Sequence, residues 1–93
     1  MSTEVRRNEG QARYEIVVDG DLAGIADYHA DGDTMVFPHT EIAGELRGRG
    51  LGAELVRHAL DDTRRRGLKV VPACSYVAHF IDENPDYADL VAS

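Results

Sequence analysis

The chain has 93 residues, of which 43% are hydrophobic and 29% charged, a composition typical of one folded globular domain. Its net charge of −7 excludes a general nucleic-acid binder, because such proteins need a basic surface to meet the phosphates. One cysteine excludes an internal disulfide, and no segment has the apolar length of a secretory signal or a membrane span, so we expect an intracellular, cytoplasmic protein.

The N-terminal half of the chain has the pattern of β-strands. Residues 1–10 are polar and lack hydrophobic periodicity, so we expect a flexible N-terminus before a folded domain at residues 11–93. Three apolar segments follow, at residues 14–18, 21–29 and 34–42. Asp-Gly pairs at positions 19–20 and 31–32 separate them, and this dipeptide favours hairpin turns because both residues tolerate positive φ. The pattern predicts an antiparallel three-stranded meander.

The third predicted strand carries the first candidate polar groups. Regular alternation places Met35, Phe37, His39 and Glu41 on one face of the strand. Pro38 cannot donate a hydrogen bond to a neighbouring strand, so it predicts an edge, a bulge or a gap in the pairing at this point.

The C-terminal half predicts a helix, a strand and further short helices. Apolar residues recur at helical spacing from Leu51 to Leu60, and Gly67 is expected to end that helix. A buried strand is predicted at residues 68–74, parallel to the third strand. Ser75 is expected to cap a short helix through residue 81, and Asn84-Pro85 to begin a final helical turn. The predicted fold is therefore mixed α/β: a meander, a β-α-β unit and a short C-terminal helix.

The loop Arg47-Gly48-Arg49-Gly50-Leu51-Gly52 joins the third strand to the long helix and is typical of an anion-binding site. Its glycines let backbone N–H groups turn inward, and the helix N-terminus adds partial positive charge. A nucleotide-binding P-loop is excluded because no Gly-Lys-Ser/Thr follows. A dinucleotide fingerprint is matched nominally, but no acidic residue stands near position 70 and the chain is too short for a doubly wound sheet.

Within this loop, Arg47-x-x-Gly50-x-Gly52 resembles the Q/R-x-x-G-x-G/A signature of the GNAT superfamily of N-acetyltransferases. The resemblance extends over roughly residues 14–91 through three more segments: His39-Thr40-Glu41-Ile42, Pro72-Ala73-Cys74-Ser75-Tyr76-Val77 and Asn84-Pro85-x-Tyr87. It implies a small, single-domain GNAT-like fold that binds acetyl-CoA or coenzyme A, with the loop amides on the pyrophosphate. The implied cofactor-binding residues are Ile42, Arg47, Gly48, Arg49, Gly50, Leu51, Gly52, Cys74, Tyr76 and Asn84.

Four side chains are candidates for the chemistry of acetyl transfer. Glu41 is the predicted base, since it shares a strand face with apolar residues and GNAT enzymes often place a glutamate there; His39 could share or orient this role. Cys74 is an acetyl-accepting nucleophile, a cofactor contact or inert packing. Tyr76 either protonates the departing thiolate or packs on the sheet. Glu41 and His39 could instead be a solvated acid and a structural histidine.

The resemblance implies an acetyl-CoA-dependent N-acetyltransferase that acts on a small amine or a lysine side chain by direct transfer. Typical GNAT enzymes carry two helices between their first strands, and these shape the acceptor site. Tight turns replace them here, so the alternative is a non-catalytic coenzyme A-binding regulatory module. Between residues 14 and 46 the chain has eight acids and no Lys or Arg, which could steer a cationic amine. We expect a monomer or homodimer, with no metal, nucleic acid or membrane partner.

Overall fold

Five strands form one mixed sheet in the computed structural model, which describes residues 2–92. The strands are β1 (Thr3–Asn8), β2 (Arg13–Val18), β3 (Asp21–Asp31), β4 (Thr34–Ile42) and β5 (Lys69–Val71). They lie in chain order, with antiparallel pairing from β1 to β4 and parallel pairing between β4 and β5. The mixed α/β class and the change from a meander to a β-α-β unit are confirmed.

The N-terminus differs from the prediction. Residues 1–10 were expected to be flexible, but Thr3–Asn8 forms an edge strand that pairs with β2 at six positions. The meander therefore has four strands, and the folded domain begins before residue 11. Val5 is the one aliphatic residue of β1, so the strand is held by backbone pairing and by polar contacts of Arg6 and Asn8 with Glu15. Met1 and Ser93, at the ends of the predicted segments, lie outside the described residues.

Both predicted hairpins form, but the second turn is shifted by one residue. Asp19 and Gly20 are the two residues of the first turn, with φ values of 50° and 88°. In the second hairpin Asp31 ends β3 and pairs with Thr34, so the turn residues are Gly32, with a φ of 62°, and Asp33. These positive values are the ones that two-residue hairpin turns require, and a residue with a larger or branched side chain would be strained there.

β4 is interrupted by a bulge at the predicted proline. Asp27 pairs with His39 and His29 pairs with Val36, so one residue of β3 faces two of β4, Phe37 and Pro38. Pairing between β4 and β5 also stops at Val36. The predicted disturbance at Pro38 is confirmed, and its consequence is that the alternation of side chains changes sides after the bulge.

Two α-helices and two 3-10 helices complete the chain: α1 (Leu51–Arg65), α2 (Ser75–Glu83), Gly44–Leu46 and Pro85–Leu90. Gly67 has the left-handed φ of 72° expected of a residue just beyond a helix end. The strand predicted at residues 68–74 is shorter, because Cys74 lies outside the ladder and is the N-cap of α2. Ser75 is therefore the first helical residue rather than the predicted cap.

The helices pack together with the sheet around one core. Apolar residues of α1 and α2 join those of β2, β3 and β4 in a single buried cluster that includes Ile16, Phe37 and Leu55. The segment from α2 to the C-terminus runs along α1, with Tyr76 beside Gly52 at one end and Asp89 bonded to Arg64 at the other. The shortest dimension of the molecule is 19 Å, which corresponds to one sheet and one layer of helices. Neither α-helix has the length and apolar composition needed to cross a bilayer.

Candidate functional site

A cleft of about 600 Å³ opens where β4 and β5 separate. The Cys74 N–H still donates to the Phe37 carbonyl at 2.8 Å, beyond the end of the β4–β5 ladder at Val36. From there toward the glycine loop, β4 is paired with β3 on one side only. Nine predicted site residues line the cleft: His39, Glu41, Ile42, Arg47, Gly48, Gly50, Leu51, Gly52 and Tyr76. The fold therefore brings the loop and the candidate catalytic strand to one place.

The glycine loop leads into α1, and no side chain caps the N-terminus of this helix. Gly48 and Gly50 have φ values of 85° and 76°, which side chains other than glycine rarely adopt. Gly50 is the N-cap of α1 and offers no side-chain hydrogen bond to the first turn. The first amides of an α-helix have no intrahelical partner, so this end of α1 presents N–H donors and partial positive charge to the cleft. That arrangement suits a phosphate or pyrophosphate group.

Gly52 and Tyr76 touch across the cleft. A Cβ atom at position 52 would overlap the Tyr76 hydroxyl and would lie 2.7 Å from its Cζ. Gly52 is therefore needed for a close approach rather than for an unusual φ. The Tyr76 hydroxyl therefore lies against the first turn of α1, and 44% of the residue is exposed. Tyr76 thus lines the same cleft as the N-terminus of α1 and Glu41.

The β4 wall of the cleft differs from the prediction. Glu41 and His39 were expected on the apolar face with Met35 and Phe37, but the bulge turns them to the opposite face of the sheet. Their side chains are 65% and 56% exposed, and the His39 Nε2 and Glu41 Oε2 atoms are 3.5 Å apart. The predicted apolar surroundings of Glu41 are therefore wrong. The pair instead lies at the solvent side of the cleft.

Thr40 lies on the inner side of β4, next to Cys74 at the start of α2. Thr40 lines the cleft, and its Oγ1 atom is buried without a hydrogen-bond partner among residues 2–92. Burial of the Cys74 thiol raises its pKa, but the amides of Val77 and Tyr76 and the Thr40 side chain outweigh this, and the net effect lowers the pKa. The Cys74 sulfur does not cap α2 with a regular side-chain hydrogen bond. The Val77 and Tyr76 amides nevertheless stabilise negative charge on the sulfur.

Three predicted binding residues do not line the cleft, namely Arg49, Cys74 and Asn84. Asn84 ends α2 at the opposite end from Tyr76, and its side-chain amide donates to the Phe80 carbonyl at 2.8 Å. Thr40 is a cleft residue that sequence reasoning missed. Regular alternation of β4 placed its side chain on the face opposite Glu41, and two signals could have found it: Pro38, which marked the strand as irregular, and its place in the segment that resembles the family.

A second, shallower cavity of about 410 Å³ adjoins the cleft. The two share Glu41, Ile42 and Arg47, and the second is also lined by Arg13 and Ile25 from the neighbouring strands. Since Glu41 borders both spaces, a group bound in one could meet a group bound in the other at its carboxylate. Within the described part of the chain, no cluster of His, Cys, Asp or Glu has the arrangement of a metal site.

Comparison with known proteins decides the family. The model of the GCN5-related N-acetyl-transferase family matches residues 13–90. The chain belongs to this family. The match spans the cleft and the glycine loop, so the resemblance seen in the sequence is confirmed, and the chain carries an acetyltransferase domain.

Two relatives of this GNAT protein differ in how much of their length it spans. Protein NATD1 from Xenopus tropicalis is 27% identical over 86 residues, which cover 90% of this chain and 79% of the relative. Streptothricin acetyltransferase from Streptomyces lavendulae is 45% identical over 51 residues, 53% of this chain but only 27% of that enzyme. The solution structure of a GCN5-like protein from Staphylococcus aureus has a TM-score of 0.75 and 22% identity, covering 97% of this chain and 88% of that one, which shows the shared fold.

Proposed function

We propose that this GNAT protein transfers the acetyl group of acetyl-CoA directly to an amine, which is either a small molecule or a lysine side chain. The observation that carries the proposal is a single cleft in which the uncapped N-terminus of α1, Tyr76 and Glu41 all meet. Membership of an N-acetyltransferase family supports the reaction class, and the streptothricin acetyltransferase match supports a small acceptor. The acidic segment from residue 14 to residue 46 would attract a cationic amine.

The glycine loop fits the pyrophosphate of coenzyme A. Gly48 and Gly50 have open space beside them where the phosphates could approach the backbone, and Arg47 adds a positive charge at the cleft wall. Ile42 and Leu51 provide apolar surface for the pantetheine arm. When bound, acetyl-CoA supplies a thioester whose acyl carbon accepts the amine lone pair as the carbon–sulfur bond breaks.

Glu41 is the base in this proposal. Its carboxylate borders both the cleft and the adjoining cavity, so it can take a proton from an amine that enters from the second cavity. His39, 3.5 Å away, orients the carboxylate or passes the proton to solvent. Tyr76 lies against Gly52 at the cleft, where its hydroxyl would donate a proton to the departing thiolate. Arg49 and Asn84 remain predicted cofactor contacts that would require the bound state.

Replacement of the carboxylate tests the base. We expect Glu41→Gln to lower amine-dependent thiol release from acetyl-CoA by about 10²–10⁴-fold while acetyl-CoA binding persists. Glu83→Gln is a matched control, because Glu83 forms a similar exposed pair with His79, 3.0 Å apart, outside the cleft. Equal turnover of the Glu41 variant and the wild type would remove Glu41 from the mechanism.

Cys74 distinguishes direct transfer from transfer through the enzyme. The lowered pKa of its thiol is the property a nucleophile needs, yet the sulfur does not line the cleft. In direct transfer, Cys74→Ala keeps turnover within a few-fold of the wild type, and mass spectrometry of the wild type with acetyl-CoA alone detects no acetyl group on Cys74. Loss of turnover together with an acetylated Cys74 would establish the two-step route instead.

A non-catalytic coenzyme A-binding module is the second candidate. It is favoured by the sheet face opposite α1, which none of the helices within residues 2–92 covers, and by the 65% exposure of the Glu41 side chain. Both candidates predict that acetyl-CoA raises the melting temperature. Only the enzyme predicts thiol release above the hydrolytic background when a panel of amines and lysine peptides is supplied.

A further inference from the structure

The Thr40 hydroxyl is a buried polar group at the wall of the cleft. Its oxygen is buried, and it has no hydrogen-bond partner among the residues that the structure describes. A buried hydroxyl without a partner costs free energy, and such groups in native proteins are few. A partner that arrives with a ligand would account for it.

The position of Thr40 places this hydroxyl at the level of the proposed chemistry. Thr40 stands between His39 and Glu41 on β4, and the bulge turns its side chain inward while theirs turn outward. The Cys74 thiol lies close enough for the Thr40 side chain to help lower its pKa, but it does not satisfy the Thr40 hydroxyl as a hydrogen-bond partner. The hydroxyl and the Glu41 carboxylate therefore flank one stretch of the cleft from opposite faces of the strand.

The geometry points to Thr40 as the hydrogen-bond donor to the carbonyl oxygen of the acyl thioester, an inference that rests on the proposed function. A base at Glu41 must lie within one water molecule of the reacting amine, which places the acyl carbon beside residue 41. The carbonyl oxygen is an acceptor without a proton of its own, and a hydroxyl can donate to it while remaining buried. Free coenzyme A has no such oxygen.

The hydrogen bond from Thr40 becomes stronger during the reaction, because negative charge develops on the carbonyl oxygen. The amine lone pair forms the new carbon–nitrogen bond while the π electrons of the carbonyl move onto its oxygen. They return as the carbon–sulfur bond breaks and its electron pair leaves on sulfur. The amine proton goes to Glu41, and a proton from Tyr76 neutralises the thiolate. Thr40 keeps its proton throughout and stabilises the negative charge that develops on the oxygen.

Affinity for two ligands tests the assignment without relying on turnover. We expect Thr40→Val to weaken acetyl-CoA binding about three- to tenfold and to leave coenzyme A binding unchanged, as measured by calorimetry. Because valine removes an unpartnered hydroxyl at similar volume, the ligand-free variant should melt at or above the wild-type temperature. Thr40→Ser keeps the hydroxyl and should retain the wild-type affinity for acetyl-CoA.

Thr63→Val is the matched control, since Thr63 is a buried threonine whose hydroxyl already donates to the Ala59 carbonyl at 2.8 Å. It should leave the ratio of the two affinities unchanged. An unchanged ratio in Thr40→Val, or an equal loss for both ligands, would overturn the assignment. If Thr40→Val does not fold, the same comparison is made with Thr40→Ala. If the wild type binds neither ligand, the proposed function itself fails.

Discussion

The Glu15 carboxylate lies on the sheet face opposite α1, and its side chain is only 3% exposed. Hydrogen bonds from Arg6 outweigh the cost of burial and, with those from Arg13 and Asn8, lower its pKa to about 2. A depressed pKa stabilises the fold above the unfolded value of 4.5, and this contribution is lost as the pH falls from there toward 2.

Acid unfolding tests this contribution. Glu15→Gln should lower the free energy of unfolding at pH 7 by about 1–3 kcal/mol and flatten its dependence on pH between about 5 and 2. Urea titrations across that range measure both effects. The exposed Glu4, replaced by Gln on the neighbouring strand, should leave the pH dependence unchanged. An equally steep profile in the Glu15 variant would show that other carboxylates govern acid unfolding.

Gly52 has no Cβ atom, and this allows Tyr76 to approach the first turn of α1 closely. Alanine in the first turn of a helix normally stabilises a protein by up to about 1 kcal/mol, so Gly52→Ala should not lower the melting temperature if Tyr76 can move aside. The displaced Tyr76 should reduce turnover about 10- to 100-fold. Gly10→Ala is the control, because a Cβ there makes only an ordinary 3.6 Å contact with Asn8 and the residue lines neither cavity. Full activity of Gly52→Ala would show that the position of the Tyr76 hydroxyl is unimportant.

At the scale of elements, the two ends of α1 carry arginines with different tasks. Arg47 lines both cavities before the helix, whereas Arg65 pairs with Asp62 in the last turn. We expect Arg47→Gln to weaken coenzyme A binding about five- to tenfold at low salt, and less at high salt, where the charge is screened. Arg65→Gln should bind as the wild type does. Titrations at two salt concentrations measure this, and equal affinities for the two variants would place the pyrophosphate elsewhere.

The elements show which features local sequence determines. The turns at Asp19-Gly20 and Gly32-Asp33 could be predicted to within one residue, because adjacent Asp and Gly residues set the local backbone conformation. β1 could not, since its sequence is polar and its stability comes from β2 and the distant Glu15 carboxylate. The faces of β4 were misassigned for a related reason. Pro38 marks an irregularity, but whether it reverses the alternation depends on how many residues the partner strand places opposite it.

At the scale of the whole molecule, the N-terminal strand is part of the sheet rather than an appendage. Deletion of residues 2–9 would leave the backbone of β2 unpaired on one side and remove two of the three partners of Glu15. We expect the melting temperature to fall by at least about 10 °C. Thermal unfolding followed by circular dichroism measures this change. An unaltered transition would mean that β2 to β5 and the helices fold independently of β1.

The bulge in β4 also determines how this chain corresponds to others of its kind. Pro38 is one residue more than regular pairing with β3 requires. Because of this extra residue, Thr40 faces inward and Glu41 faces outward. A relative with an uninterrupted strand can present the same two groups on the same two faces only if it is one residue shorter between positions 37 and 39. In such a relative, the counterpart of Glu41 would stand five residues after the counterpart of Met35, whereas Glu41 stands six residues after Met35 here. A gap in the alignment, rather than a substitution, would then mark the shared site.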